Sequence, residues 1–363
     1  MAKTKTPAPK APAAKSNGKA AAKPSTEKTK ATTKAAQAAK SAPVVVASKP
    51  TKAKAVSAQL PPTKIGKSEG SGQPLPPEVR LNVQKTYKLY IGGAFPRTES
   101  GRFIAFKDAQ GQLVANYCRG SRKDFRNAVV AARKAFEGWA HRAHFNRGQI
   151  LYRIAEMLEG RRAQFVAELV QQGQSLENAE REVTAAIDRM VYYAGWCDKY
   201  QQVFSSVNAV SSSHFNFSMM EPTGLVSAFA PQDTGLLGLV SVVAPLIAGG
   251  NVVIVLASEI FPLSAITFAE VLNSSDLPGG VVNILTGYQS ELKDHFSTHM
   301  DVNAMVYAGR DKEMVATLQK NATHNVKRIL VNKTEDWYAD SAQSPYLISE
   351  AQEVKTTWHP VGV

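Results

Sequence analysis

The chain has 363 residues, 44% of them hydrophobic, with 43 Lys and Arg against 30 Asp and Glu and a formal net charge of +13. That is enough apolar content for a sizeable core, and the length allows more than one domain. Residues 1–67 hold 15 of the lysines, no arginine and the single acid Glu27, for +14, so residues 68–363 keep 28 bases and 29 acids and are near neutral. The basic character therefore belongs to an N-terminal tail. Residues 1–79 are Lys, Ala, Pro, Thr and Ser with little to bury, the composition of a disordered segment. Such a tail binds nucleic acid or another polyanion by counterion release, or else serves as a solubilising extension. Two cysteines, Cys118 and Cys197, are too few for a disulfide framework and fit a reducing, cytoplasmic setting. No apolar run has membrane-spanning length, so no membrane partner is expected.

In chain order, Lys88–Gly93 reads as a strand, and Phe103–Lys107 with Leu113–Tyr117 as a hairpin around Gln110-Gly111. Asp124–Trp139, Arg147–Gln172 and Glu177–Tyr200 carry apolar residues at helical spacing and are read as three long helices. Ser205–Met220 is polar and weakly alternating, an exposed extended arm. Leu225–Ala230 is a short apolar strand, Gly235–Ala248 an apolar helix stopped by Gly249-Gly250, and Asn251–Leu256 a second buried strand. A helix at Leu263–Asn273, strands at Val281–Leu285, Ala304–Tyr307 and Lys327–Val331, and a helix at Lys312–Asn321 complete the alternation. This order predicts an α/β fold with a doubly wound, mostly parallel sheet. The i, i+4 pair His295 and His299 has no third ligand in view and reads as a solvated helix face, so no metal site is expected.

Several words within these elements resemble the aldehyde dehydrogenase superfamily. They are Glu221-Pro222-Thr223-Gly224, Ala244-Pro245, Gly250-Asn251, Ser258-Glu259, the Glu182–Trp196 stretch EVTAAIDRMVYYAGW, and Pro278, Gly280, Val281, Asn283 and Gly287 in a G-x-P-x-G-V-x-N-x-x-x-G frame. The resemblance runs from about Lys88 to Val331 and implies a Rossmann-like cofactor-binding domain over residues 80–331. It makes the arm at 205–220 an oligomerisation element and NAD(P) the family's cofactor. Residues 332–363 are then read as a short segment in place of the catalytic domain with its nucleophilic cysteine.

The resemblance also implies which parts of the chemistry are altered. The family's oxyanion-holding asparagine is Asp233, a carboxylate with no N–H to offer, and its water-activating glutamate is Asn332, which cannot act as a general base near neutral pH. Tryptophan becomes Gln232 and the ribose-binding lysine Leu256, whereas the ribose-binding acid is kept as Glu259. The phosphate loop keeps Gly309, but its serine is Arg310 and its second glycine Met314. Glu259, Gly287, Gly309 and Arg310 are thus the candidate cofactor-binding residues, and Cys197, in a helix, is expected to be inert packing. Three functions follow as expectations: a non-catalytic subunit forming hetero- or homo-oligomers with an intact aldehyde dehydrogenase paralogue, a residual NAD(P)-binding oxidoreductase, or a polyanion binder acting through residues 1–67.

Overall fold

The computed structural model describes residues 84–362; the basic tail read at residues 1–79 lies outside the described residues. The chain first builds a small outer sheet from β1 (Thr86–Tyr87), β2 (Phe103–Lys107) and β3 (Leu113–Cys118), in the order β1-β3-β2. The hairpin of β2 and β3 is the expected one, turning at Gly111 with φ 78°. Lys88–Gly93 is not a regular strand. Gly92 and Gly93, at φ 64° and 82°, fold it into a tight turn, and only Tyr90 pairs outward, exchanging backbone bonds of 2.9 and 2.8 Å with Ile284.

Helix α1 (Arg122–Ala140) starts at a capping box in which the Ser121 hydroxyl and the Asp124 carboxylate satisfy each other's backbone N–H groups. The long helix expected at Arg147–Gln172 is two helices, α2 (His144–Gly160) and α3 (Arg162–Gln171). The break falls at Arg161, with φ −111° and ψ 14°, after the poor helix former Gly160, and Arg161 reaches Glu270 on another helix at 3.3 Å. Likewise α4 (Leu176–Trp196) stops before Cys197, and a short α5 (Tyr200–Phe204) follows.

The segment read as an arm holds β4 (Ser206–Asn208) and β5 (His214–Pro222). Then come β6 (Leu225–Phe229), α6 (Leu237–Ala248), β7 (Val252–Leu256), α7 (Pro262–Asn273), β8 (Val282–Leu285), α8 (Gln289–Thr298), β9 (Ala304–Ala308), α9 (Lys312–Ala322) and β10 (Arg328–Asn332). Every neighbour pair in this central sheet is parallel, in the order β10-β9-β6-β7-β8. The residues of β6 to β9 are buried throughout, which explains their continuous apolar runs. α6 packs against α2 and α4, α7 against α2 and α3, while α1 and α8 pack against each other and the sheet.

The winding reverses between β6 and β9. From β6 the chain steps outward through β7 to β8, then returns to the other side of β6. In such sheets the crevice at the carboxyl ends of the two strands flanking the reversal is where ligands bind.

Beyond β10, residues 333–351 cross a 3-10 turn (Asp340–Gln343) and α10 (Tyr346–Ser349) before β11 (Gln352–Pro360). β11 pairs antiparallel with β5 over its whole length, from Gln352 opposite Pro222 to Pro360 opposite His214. The arm is therefore a three-stranded sheet, β11-β5-β4, whose outer strand comes from the last part of the sequence.

Candidate functional site

The crevice predicted by the strand reversal is present, with a volume of about 310 Å³. Its walls are the loop after β6, with Gln232 and Asp233, and the loop after β9, from Tyr307 to Asp311. Gln289, Thr334 and Trp337 complete it. The structure thus brings Asp233, Gly309 and Arg310 together. Glu259 adjoins them, because the Gln232 amide oxygen accepts its backbone N–H at 2.8 Å and its own carboxylate accepts the Gln289 N–H at 2.7 Å. Gly287 does not line the crevice: at φ 147° it lies against Gly120, whose N–H a Cβ would approach to 3.2 Å, so it seats the outer hairpin on the sheet.

Each of these groups is engaged by the protein itself. Asp233 accepts the indole N–H of Trp337 at 3.0 Å. Asn332 turns back on its own loop, its side-chain oxygen accepting the N–H of Thr334 at 3.0 Å and its hydroxyl at 2.6 Å. The Arg310 guanidinium donates to the Thr334 carbonyl at 2.9 Å. Gly309 faces the Tyr307 ring, which a Cβ would meet at 2.6 Å, so the space above its backbone is already taken.

The helix N-termini near the crevice are closed in the same way. Asp311 caps α9, accepting the N–H groups of Glu313 at 2.9 Å and Met314 at 3.3 Å. Glu259 receives the first N–H of α8. The buried Glu182, from α4, places one carboxylate oxygen on three successive N–H groups at the start of α6: Gly235 at 2.9 Å, Leu236 at 2.5 Å and Leu237 at 3.0 Å. Such termini hold phosphates where they are free. Here each carries a carboxylate of the chain, and a second negative group beside it would be repelled. The residues present therefore do not fit the pyrophosphate of NAD(P) at α9.

The segment after β10 is fixed over this end of the sheet by Arg189 of the EVTAAIDRMVYYAGW word. Its guanidinium donates to the carbonyls of Ala342 and Trp337, both at 2.7 Å, and to the Ser241 hydroxyl at 2.6 Å. Arg181 lies 4.0 Å from the centroid of the Tyr338 ring. Sequence reading singled out neither Trp337 nor Arg189 for such a role, since no local pattern signals a contact between α4 and a loop so far along the chain. The Asp311 cap was legible, as an acid directly before a helix.

Cys197 is fully buried, and burial pushes its thiol up to about 12. Cys118 is buried in β3. His295 and His299 do not form a solvated face: both are half-buried, and His299 sits at the end of α8 with its ring edge-on to Phe125 at 5.8 Å. Among the described residues no group of three or more His, Cys, Asp or Glu could hold a metal ion, and no helix is long and apolar enough to cross a membrane.

Comparison with known proteins bears on family and fold. The DhaS protein of Bacillus subtilis, described as a putative aldehyde dehydrogenase, is 29% identical over 252 residues, covering 68% of this chain and 50% of that protein. Mouse cytosolic 10-formyltetrahydrofolate dehydrogenase is 30% identical over 256 residues, 69% of this chain and 28% of its own length. The chain thus spans half or less of the length of these relatives. Among solved structures, the NAD+ complex of a Bacillus cereus aldehyde dehydrogenase superposes with a TM-score of 0.65 at 23% identity, over 68% of this chain and 50% of that one. Betaine aldehyde dehydrogenase of Staphylococcus aureus, solved with NAD+, gives 0.64 at 25% identity over 68% and 49%. The sequence profile of the aldehyde dehydrogenase family matches residues 95–333, most of the described fold, and the chain belongs to that family.

Proposed function

We propose that this chain is a non-catalytic member of its family, a subunit that assembles with an intact aldehyde dehydrogenase through the arm. The observation that carries the reading is the use made of the catalytic positions. Asp233 holds Trp337 and Asn332 closes its own turn, so positions that would serve a reacting aldehyde serve internal packing instead, and Arg310, at a cofactor-phosphate position, ties the loop after β10. The crevice accordingly is lined by neither cysteine, and Asp233 offers no N–H to an oxyanion.

The arm supports the assembly half of the proposal. It presents Val207, Phe215, Met219, Val354 and Trp358 to solvent, between 38% and 69% exposed, and the outer edge of β11 carries unpaired backbone groups. An edge of this length beside apolar side chains invites pairing with another chain. The test is co-expression with a full-length aldehyde dehydrogenase from the same genome, followed by light scattering on the purified mixture. A mixed complex is expected; a chain that stays monomeric in that mixture refutes the reading.

A second reading rests on charge. Residues 1–67 carry +14 while the rest of the sequence is near neutral, so the tail supplies non-specific binding to DNA or polyphosphate. Deleting residues 1–67 is expected to abolish a salt-sensitive retention on heparin; unchanged retention sinks this second role and leaves the first untouched.

A further inference from the structure

Two arginines lie buried in the body without a carboxylate within ion-pair distance among the described residues. Arg189 donates through its terminal nitrogens to three oxygens at 2.6–2.7 Å, although its Nε has no acceptor. Arg147, 1% exposed in the first turn of α2, is held more loosely. One terminal nitrogen donates to the Ala140 carbonyl at the end of α1 at 3.2 Å, the other to the Tyr200 hydroxyl at 3.2 Å, and Nε has no acceptor. A guanidinium has five N–H donors, so several are unused. A buried cation costs several kcal/mol unless it is compensated. The α1 carbonyl end supplies part of that compensation.

Arg147 is also among the residues lining a cavity of about 650 Å³ between the body and the arm. His141 and His144 stand on the body side, the Tyr200 hydroxyl beside the guanidinium, and Lys355 of β11 on the arm side, paired with Glu221 at 2.7 Å. Both members of that pair are about half exposed, so the ammonium can exchange its partner. The backbone makes room for the guanidinium at Gly250, with φ 90°, where a Cβ would come within 2.6 Å of its terminal nitrogen. Cationic and neutral donors therefore converge on an open volume in which one acid, Glu221, is already neutralised.

We propose that this cavity binds a small oxyanion, a carboxylate or a phosphate, with the Arg147 guanidinium as its fixed charge and Tyr200 and Lys355 as further donors. A planar guanidinium presents two parallel N–H groups that match either anion. The site lies between α2 and the arm, away from the crevice at the ends of β6 and β9, and does not depend on the reading of that crevice.

The experiment is thermal unfolding and calorimetric titration of the full chain with inorganic phosphate and with succinate, each against sodium chloride of equal ionic strength. Because the tail also attracts anions, the comparison is between wild type and cavity variants that keep the tail. Either anion is expected to raise the wild-type midpoint above the chloride control, with phosphate or succinate the stronger according to the ligand class. Arg147→Met should abolish the effect, and Lys355→Ala, an exposed change on the arm, should weaken the Kd about fivefold. Tyr200→Phe provides a third variant should Arg147→Met fail to fold. Equal responses in wild type, Lys355→Ala and Tyr200→Phe, or no response to either anion in wild type, overturn the proposal.

Discussion

The carboxylate of Glu182 offers the sharpest test of the self-capped site. Its oxygen accepts three backbone N–H groups at the start of α6, and its second oxygen accepts the Gln174 amide at 2.6 Å, all in a residue 2% exposed. Hydrogen bonds to a charged group contribute about 1.5–3 kcal/mol, and a buried N–H left unmet costs about 1–3 kcal/mol. The three share one oxygen and are not additive, so Glu182→Ala is expected to destabilise by about 4 kcal/mol. Glu182→Gln, which keeps an acceptor but loses the charge, should lose about 2 kcal/mol. In thermal unfolding followed by far-UV circular dichroism, the alanine variant should fall by about 8 °C, at about 2 °C per kcal/mol for a domain of this size. A loss below about 1 kcal/mol in Glu182→Ala would show that α6 does not need an internal anion. Glu182 would then be no structural cap for α6.

Other expectations follow from the same geometry. Trp337→Ala should cost about 3–5 kcal/mol in urea unfolding as a buried aromatic is removed. NADH fluorescence should still report no binding, because Asp311 keeps α9 capped; micromolar binding in that variant would mean that Trp337 alone closes the crevice. Cys197, pushed up to about 12, carries about one thiolate in ten thousand at pH 8, so native protein should resist a disulfide reagent that modifies it at once after denaturation. Fast native labelling at Cys197 refutes its burial. Lys327, 6% exposed, has its pKa lowered by burial from 10.5 to about 8. The folded state therefore carries the cost of the buried charge in full below pH 8 and sheds it as pH rises towards 10.5, about 3 kcal/mol in all. Relative to Lys327→Met, wild type should gain stability between those pH values; a constant difference refutes the burial of the charge. Gly250→Ala, strained at φ 90° and pressed on Arg147, should destabilise by more than about 1 kcal/mol in urea unfolding, and a neutral result refutes that contact.

Sequence reading located the central sheet well because its strands are buried on both faces and its glycines mark the turns. It failed where tertiary contacts override a continuing pattern. The apolar spacing of Arg147–Gln172 passes through Gly160 without interruption, and only the reach of Arg161 to Glu270 reveals the break. Lys88–Gly93 looks like a strand from its residue types, yet two left-handed glycines turn it after a single pairing. At the crevice, the substitutions at Asp233, Asn332 and Arg310 were visible as residue types. What they bind was not, apart from the local turn of Asn332 on Thr334, because Trp337 reaches Asp233 and Thr334 reaches Arg310 from a loop whose path no local signal encodes. Gly287 shows the opposite limit, since a family position resembling a cofactor contact here seats the hairpin.

The pairing of β11 with β5 joins Gln352 to Pro222 and Pro360 to His214 across the entire central sheet in sequence. Contacts of such long sequence separation are slow to form, because loop closure precedes any gain from pairing. On the ribosome, β6 to β10 are complete before β11 emerges, and until then β5 has only the three residues of β4 beside it. The surface proposed for assembly would thus be a late product of folding. A partner able to pair with β5 early would compete with the chain's own outer strand for the same backbone groups.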